Sequence, residues 1–238
     1  MERERALLIL GNSVSMSPPE AKDNPVTCYP DLLRERLQDA GWRVEHRSSS
    51  GATVGDIERT ARQVAPELRP AGVVIQLGIV DCAPRPLRPS ERGLLEYIWP
   101  RLLRDRIVQF LHENRATIIE HRGLIQRTNI ISFKEHFRRL LEDCLAVTNR
   151  VAILPIFPAT EPILARNPRL AAEIDKYNEV MRSDPRAVMF DVGEVFDGAS
   201  IEALSVAPES VHLNQRGHEL MAARVERWLH STERVGAE

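Results

Sequence analysis

Four short blocks of this 238-residue sequence hold residue types able to do nucleophilic chemistry: Gly11-Asn12-Ser13, Gly51, Gly78-Ile79-Val80-Asp81 and Glu209-Ser210-Val211-His212. A serine hydroxyl is a poor nucleophile until a base removes its proton, and histidine is the side chain suited to that near neutral pH. A carboxylate on the other ring nitrogen fixes the tautomer and stabilises the imidazolium. Ser13, His212 and Glu209 supply these three types. Each block alone says little, because a serine after a strand is usually a helix cap and an acid three residues before a histidine is common by chance. Their order along the chain gives them weight.

In open parallel sheets, ligands bind beyond the carboxyl ends of the strands. Apolar runs at residues 6–10, 42–46, 73–77, 151–154 and 188–192 read as strands, and the first, second and third lead toward the first three blocks. Amphipathic helical patterns occupy 30–40, 56–68, 171–181 and 217–229. This alternation predicts an α/β fold with a parallel five-stranded sheet covered on both faces. About seventy residues separate the third and fourth runs, more than a crossover requires. Residues 82–148 are therefore expected to form a helical insertion within a single domain spanning 1–238. Its apolar face includes Leu94, Ile98, Leu102 and Val108, Pro100 breaks or kinks it, and Ser132 to Glu135 is a capping-box pattern opening its last helix. Such faces can cover the site as a lid or join copies of the chain into a homo-oligomer.

Composition excludes several classes. The 32 basic and 34 acidic residues leave a net charge of -2, so neither nucleic acid nor an anionic membrane is an expected partner. The apolar run at 6–10 is too short for a signal-peptide core or a membrane span. Cys28, Cys82 and Cys144 lack disulfide or zinc spacing, which suits a reducing, cytoplasmic setting and predicts no metal. Phosphate-loop and dinucleotide glycine patterns are absent, so no cofactor is implied. Charge is uneven: residues 82–148 carry a net +4. Arg85 stands beyond the third block, where its planar fork can hold a carboxylate, phosphate or sulfate. An anionic small-molecule substrate follows as an expectation.

The blocks, in this order, resemble the SGNH hydrolases, also called GDSL-type esterases, across nearly the whole chain. In that family a strand leads to G-D-S, a glycine follows the second strand, G-x-N-D follows the third, and D-x-x-H precedes the last helix. Here Asn12, Val80 and Glu209 stand where the family has Asp, Asn and Asp. Tyr177-Asn178 and His218 also look like family features. The resemblance implies a flavodoxin-like three-layer α/β/α sandwich and a metal-free serine hydrolase acting on a small O-acyl ester, acetyl-type, on a sugar or natural product. It implies Ser13 as nucleophile, His212 as base within hydrogen-bond reach and Glu209 as its orienting acid. Ser13 and Gly51 would give oxyanion-hole N–H groups. Val80 has no side-chain donor, and Asn12 or Asn24 can replace the missing amide. Val80, Asp81 and Arg85 would line the substrate site. Acyl transfer through the same intermediate, or a non-catalytic binding role, are the rival outcomes.

Overall fold

The structure, a computed structural model, describes residues 5–22 and 24–235. Strand β1 (Arg5–Gly11) is followed by a 3-10 turn (Ser13–Ser15), α1 (Tyr29–Leu37), β2 (Trp42–Ser48), α2 (Val54–Leu68) and β3 (Gly72–Gln76). Then come α3 (Ile79–Cys82), α4 (Pro89–Leu95), α5 (Arg101–Glu113), α6 (Arg115–Arg122) and α7 (Ile130–Leu145). The remainder is β4 (Val151–Leu154), α8 (Glu161–Arg166), α9 (Leu170–Arg182), β5 (Val188–Met189), α10 (Val192–Phe196), α11 (Ile201–Leu204) and α12 (Gln215–Val235).

The five strands form one parallel sheet in the order β2-β1-β3-β4-β5. Leu8, Leu10, Val73, Ile75, Val151 and Ile153 face one core with residues of α2, α7 and α9. Leu7, Ile9, Val74, Ala152 and Leu154 face the other, with α1, α10 and α12. Side chains alternate across a strand, so runs apolar at every position must be covered on both sides. Burying these strands between two helical layers removes most of their apolar surface from water, worth roughly 25 cal/mol per Å2.

Three local details depart from the sequence reading. β5 is two residues long because Asp191 accepts the Gly193 N–H and caps α10, ending the strand. Helix α7 starts at Ile130, where Asn129 accepts the Ser132 N–H, so Ser132 lies inside the first turn and is not the cap. Residues 82–148 behave as two parts: α7 buries Phe133, Phe137, Leu140, Leu141 and Cys144 in the sandwich, whereas α4 and α5 bury no residue. Pro100 stands at the N-terminal boundary of α5 and separates it from α4.

Candidate active site

β1 ends at Gly11, where any Cβ would press into the Ser15 hydroxyl, so the chain turns there without a side chain. Asn12 then caps the 3-10 turn, its Oδ1 accepting the Val14 N–H at 3.1 Å. The turn lifts half-buried Ser13 to the carboxyl end of the sheet. Neither the Ser13 nor the Gly51 N–H has a hydrogen-bond acceptor among the described residues. Gly51 has φ +71°, a left-handed conformation that favours glycine.

His212 sits in the turn between α11 and α12, held by the Ser205–Leu213 bridge and the Val206 N–H donated to its carbonyl. Its Nδ1 lies 3.0 Å from both carboxylate oxygens of Glu20 and 3.3 Å from Ser210 Oγ. Ser210 Oγ also donates to Glu20 at 3.0 Å and accepts the His212 N–H. Glu20 therefore meets the imidazole as a bidentate acceptor. Partial burial pushes its carboxyl upward, but hydrogen bonds from its own backbone, His212 and Ser210, with the charge of His212, outweigh that and hold its pKa below the ordinary value.

The carboxylate that meets His212 is thus Glu20 and not Glu209, which corrects the contact expected for Glu209. The Glu209 carboxylate is 68% exposed and pairs with Arg166 at 3.0 Å. The reason is local: the Ser210 N–H bonds the Ala207 carbonyl, and the tight turn sends Ser210 toward the imidazole and Glu209 outward. Glu20 arrives from the far end of the chain at the third position of a turn closed by Ala21 N–H to Pro18 O, with Pro19 at the position where proline favours turning. The Thr27 N–H bond to Gln215 and the Tyr29 N–H bond to His218 Nδ1, at 2.9 and 3.3 Å, tie this loop to α12. Sequence spacing offers no sign of Glu20, 192 residues from its histidine; the Pro18-Pro19 turn signal alone could have drawn attention to it.

No hydrogen bond joins Ser13 to His212, and His212 Nε2 is buried without a partner. Such pairs are commonly loose until substrate tightens them. Asn12, Val14 and Val211 line one small cavity of about 30 Å3, which brings the flanks of Ser13 beside the turn that carries His212. A second serine–histidine pair, Ser15 and His46, lies 3.4 Å apart. Ser15 is fully buried and its hydroxyl already bonds Asn12 O and Ser48 Oγ, so it cannot meet a substrate.

The other sequence candidates separate clearly. Asn12 is 1% exposed and lines the small cavity with Gln76; its Oδ1 is committed to capping, and its Nδ2 is buried without a partner. Asn24 is exposed in the loop. Val80 is half-buried, and its carbonyl accepts Arg85 Nη2 at 3.2 Å. Asp81 is fully buried and accepts the Val54 N–H at the start of α2 and the Thr128 hydroxyl at 2.6 Å, so it ties backbone together and does not contact substrate. Burial raises its pKa to about 6 against the lowering effect of those bonds. Burial likewise pushes the Cys82 thiol far up, which leaves it unfit as a nucleophile. Tyr177 donates to Thr128 O, and the Asn178 amide pairs with both backbone groups of Ile156, bracing the loop after β4. His218 is buried beneath the site against Tyr29, and burial lowers its pKa to about 4. Among the described residues no cluster of His, Cys, Asp or Glu could hold a metal ion, and no helix is long and apolar enough to cross a membrane.

Sequence comparison with curated proteins finds no match. Solved structures share the fold. A lipase/acylhydrolase from Enterococcus faecalis superposes with a TM-score of 0.64 at 14% identity, covering 94% of each chain. An acetylxylan esterase from Geobacillus stearothermophilus gives 0.59 at 17% identity, covering 94% of this chain and 93% of its own. A GDSL-like lipase from Bacteroides thetaiotaomicron gives 0.60 at 14% identity, over 98% and 91%. The model of the GDSL-like Lipase/Acylhydrolase family matches residues 9–220, a span that runs from the middle of β1 through His212 into α12. The chain belongs to the GDSL-like lipase/acylhydrolase family and is a serine ester hydrolase.

Proposed function

We propose that the protein cleaves a small O-acyl ester, acetyl-type, through a Ser13–His212–Glu20 triad and an acyl-enzyme. The observation that carries this reading is the imidazole of His212, held at Nδ1 by a carboxylate and left unpartnered at Nε2, in a turn whose Val211 lines one cavity with Asn12 and Val14, the neighbours of Ser13. With Nδ1–H donated to Glu20, the lone pair sits on Nε2, the atom a general base needs free. Ser13 Oγ attacks the ester carbonyl as its proton passes to Nε2. The developing oxyanion is received by the unused N–H groups of Ser13 and Gly51. The imidazolium, stabilised by Glu20, returns the proton to the leaving alkoxide. Water activated by the same nitrogen then releases the acid and restores Ser13.

An acetyl ester on a sugar is the first substrate to try, with the acetylxylan esterase that shares the fold as precedent. Only two backbone donors serve the oxyanion. A lost third donor costs about a hundred- to a thousand-fold in rate, so modest turnover is expected. The test is labelling with a fluorophosphonate followed by peptide mapping. Adduct on Ser13, abolished in Ser13→Ala and reduced in His212→Ala, is the expected result. A folded protein that takes no label, or takes it elsewhere, ends the triad reading.

A further inference from the structure

Helices α4, α5 and α6 and the segment after α3 line an open cavity of about 890 Å3, inside the roughly 300 to 1,000 Å3 range of small-molecule sites. Four arginines line it: Arg85, Arg92, Arg115 and Arg127. Among the described residues none of the four pairs with a carboxylate. Arg85 Nη2 donates to Val80 O, Arg127 Nη1 to Gly51 O, and Arg115 to Asn167 and Pro84 O. Glu96, exposed, is the acidic side chain at the rim. Leu95, Val108 and Leu111 add apolar lining.

Arg85 and Arg115 are half-buried and Arg92 and Arg127 exposed, and bringing like charges together where two of them are partly desolvated is unfavourable. Burial, and then Arg127 and Arg92, depress the pKa of Arg85; burial, and then Arg85 and Arg166, depress that of Arg115. The Nε of Arg85 is also buried without an acceptor. Asp81 acts on Arg85 and Arg127, and Asp56 on Arg127, but without a salt bridge to either; an oxyanion in the cavity would give these guanidiniums a direct partner, and their forks suit its geometry.

One side chain, Arg115, is common to this cavity and one beside the candidate active site. Arg115 also lines a second cavity, of about 310 Å3, whose wall includes Glu20, Ser210 and Val211, the partners and neighbour of His212. Arg127 and Arg85 donate to the carbonyls of Gly51, at the proposed oxyanion hole, and of Val80, in α3.

We infer that the four-arginine cavity binds an oxyanionic group, carboxylate, phosphate or sulfate, carried on an apolar body, and that esters bearing such a group are the preferred substrates. This rests on the ester-hydrolase reading of Ser13 and His212 for its catalytic half alone. The apolar lining selects against a bare inorganic ion.

Calorimetry with hexyl phosphate, hexanol and inorganic phosphate reads the site without catalysis. Hexyl phosphate should bind at least about tenfold more tightly than hexanol, and the preference should shrink severalfold when salt rises from about 0.02 M to about 0.5 M. Arg92→Gln and Arg85→Gln should each weaken hexyl phosphate at least about fivefold, with Arg92→Lys intermediate. The salt series on the unaltered protein keeps the test independent of how the variants fold. Equal binding of hexyl phosphate and hexanol, or indifference to salt, overturns the site. Inorganic phosphate binding as well as hexyl phosphate overturns the apolar arm and points to a free anion as ligand.

Turnover of 4-acetoxybenzoate against its methyl ester reads the catalytic half, and a preference of about tenfold or more for the acid is expected. Binding without turnover of either ester retires the acetyl-ester reading of Ser13 and His212 and leaves the site standing. Turnover without acid preference, from a protein that does not favour hexyl phosphate, retires the site and leaves the esterase.

Discussion

The loop after β1 and the turn before α12 each present a glutamate near the imidazole of His212, and the two carboxylates meet different fates. Glu209 is three residues from the histidine, yet it is turned outward and pairs with Arg166. Glu20 is 192 residues away, yet both its oxygens lie 3.0 Å from Nδ1. The difference teaches that proximity in sequence decides where the backbone goes, whereas the direction of a side chain is decided by local turn hydrogen bonds. In the histidine turn, Ser210 takes the inward position and bonds the imidazole nitrogen and the His212 N–H. In the β1 loop, a Pro18-to-Ala21 turn presents Glu20, and contacts to Gln215 and His218 fasten the loop onto the helix that follows His212.

The sharpest way to break this contrast is Glu20→Gln. The amide keeps roughly the shape but not the charge, and its NH2 can turn the imidazole into the wrong tautomer. A fall in kcat/KM of about a hundredfold is expected on an activated acetyl ester, less than the ~10^4 of a fully buried triad acid because Glu20 is partly exposed. A pH–rate profile should accompany it: unchanged activity would return the orienting role to Glu209 or to none.

A third carboxylate, Asp81, sharpens the comparison from the opposite side, since it is fully buried and faces backbone and hydroxyl donors with no cationic bond. Its folded pKa of about 6 lies above the unfolded value of about 3.9, so the folded state binds that proton more tightly. The stability it confers is therefore fully present below about pH 4 and declines as pH rises through 6. Denaturant unfolding from pH 4 to 7 should show wild type losing about 2 kcal/mol relative to Asp81→Asn over that window. Parallel pH curves for the two proteins would show that Asp81 titrates normally. Glu20, with its lowered pKa, has the opposite sign: its contribution appears above the unfolded pKa and fades as the solution is acidified.

The smallest effect belongs to Glu209→Gln. An exposed ion pair with Arg166 is worth about 0 to 1 kcal/mol, so turnover should stay within about twofold and the melting temperature within a degree or two. A tenfold loss of kcat/KM with KM unchanged would mean that Glu209 reaches the imidazole during catalysis after all.

The strand runs, the parallel α/β architecture and the placing of Ser13, Gly51 and His212 at strand ends or before the last helix were legible from local pattern alone. Burial on both faces of a sheet writes itself into consecutive apolar residues, and glycine marks places where the backbone must bend or approach closely. Helix α7 was legible as an amphipathic helix, but its membership of the sandwich was not, because the same apolar stripe serves either a lid or a core layer. What tertiary structure alone decided is which acid faces His212, that Asp81 is a buried tether, and that four arginines scattered from Arg85 to Arg127 converge on one cavity. Charged side chains on loops and short helices carry no periodicity to betray their direction. Long-range contacts such as Glu20 to His212 are fixed only when the sheet order brings the loop after β1 beside the turn before α12.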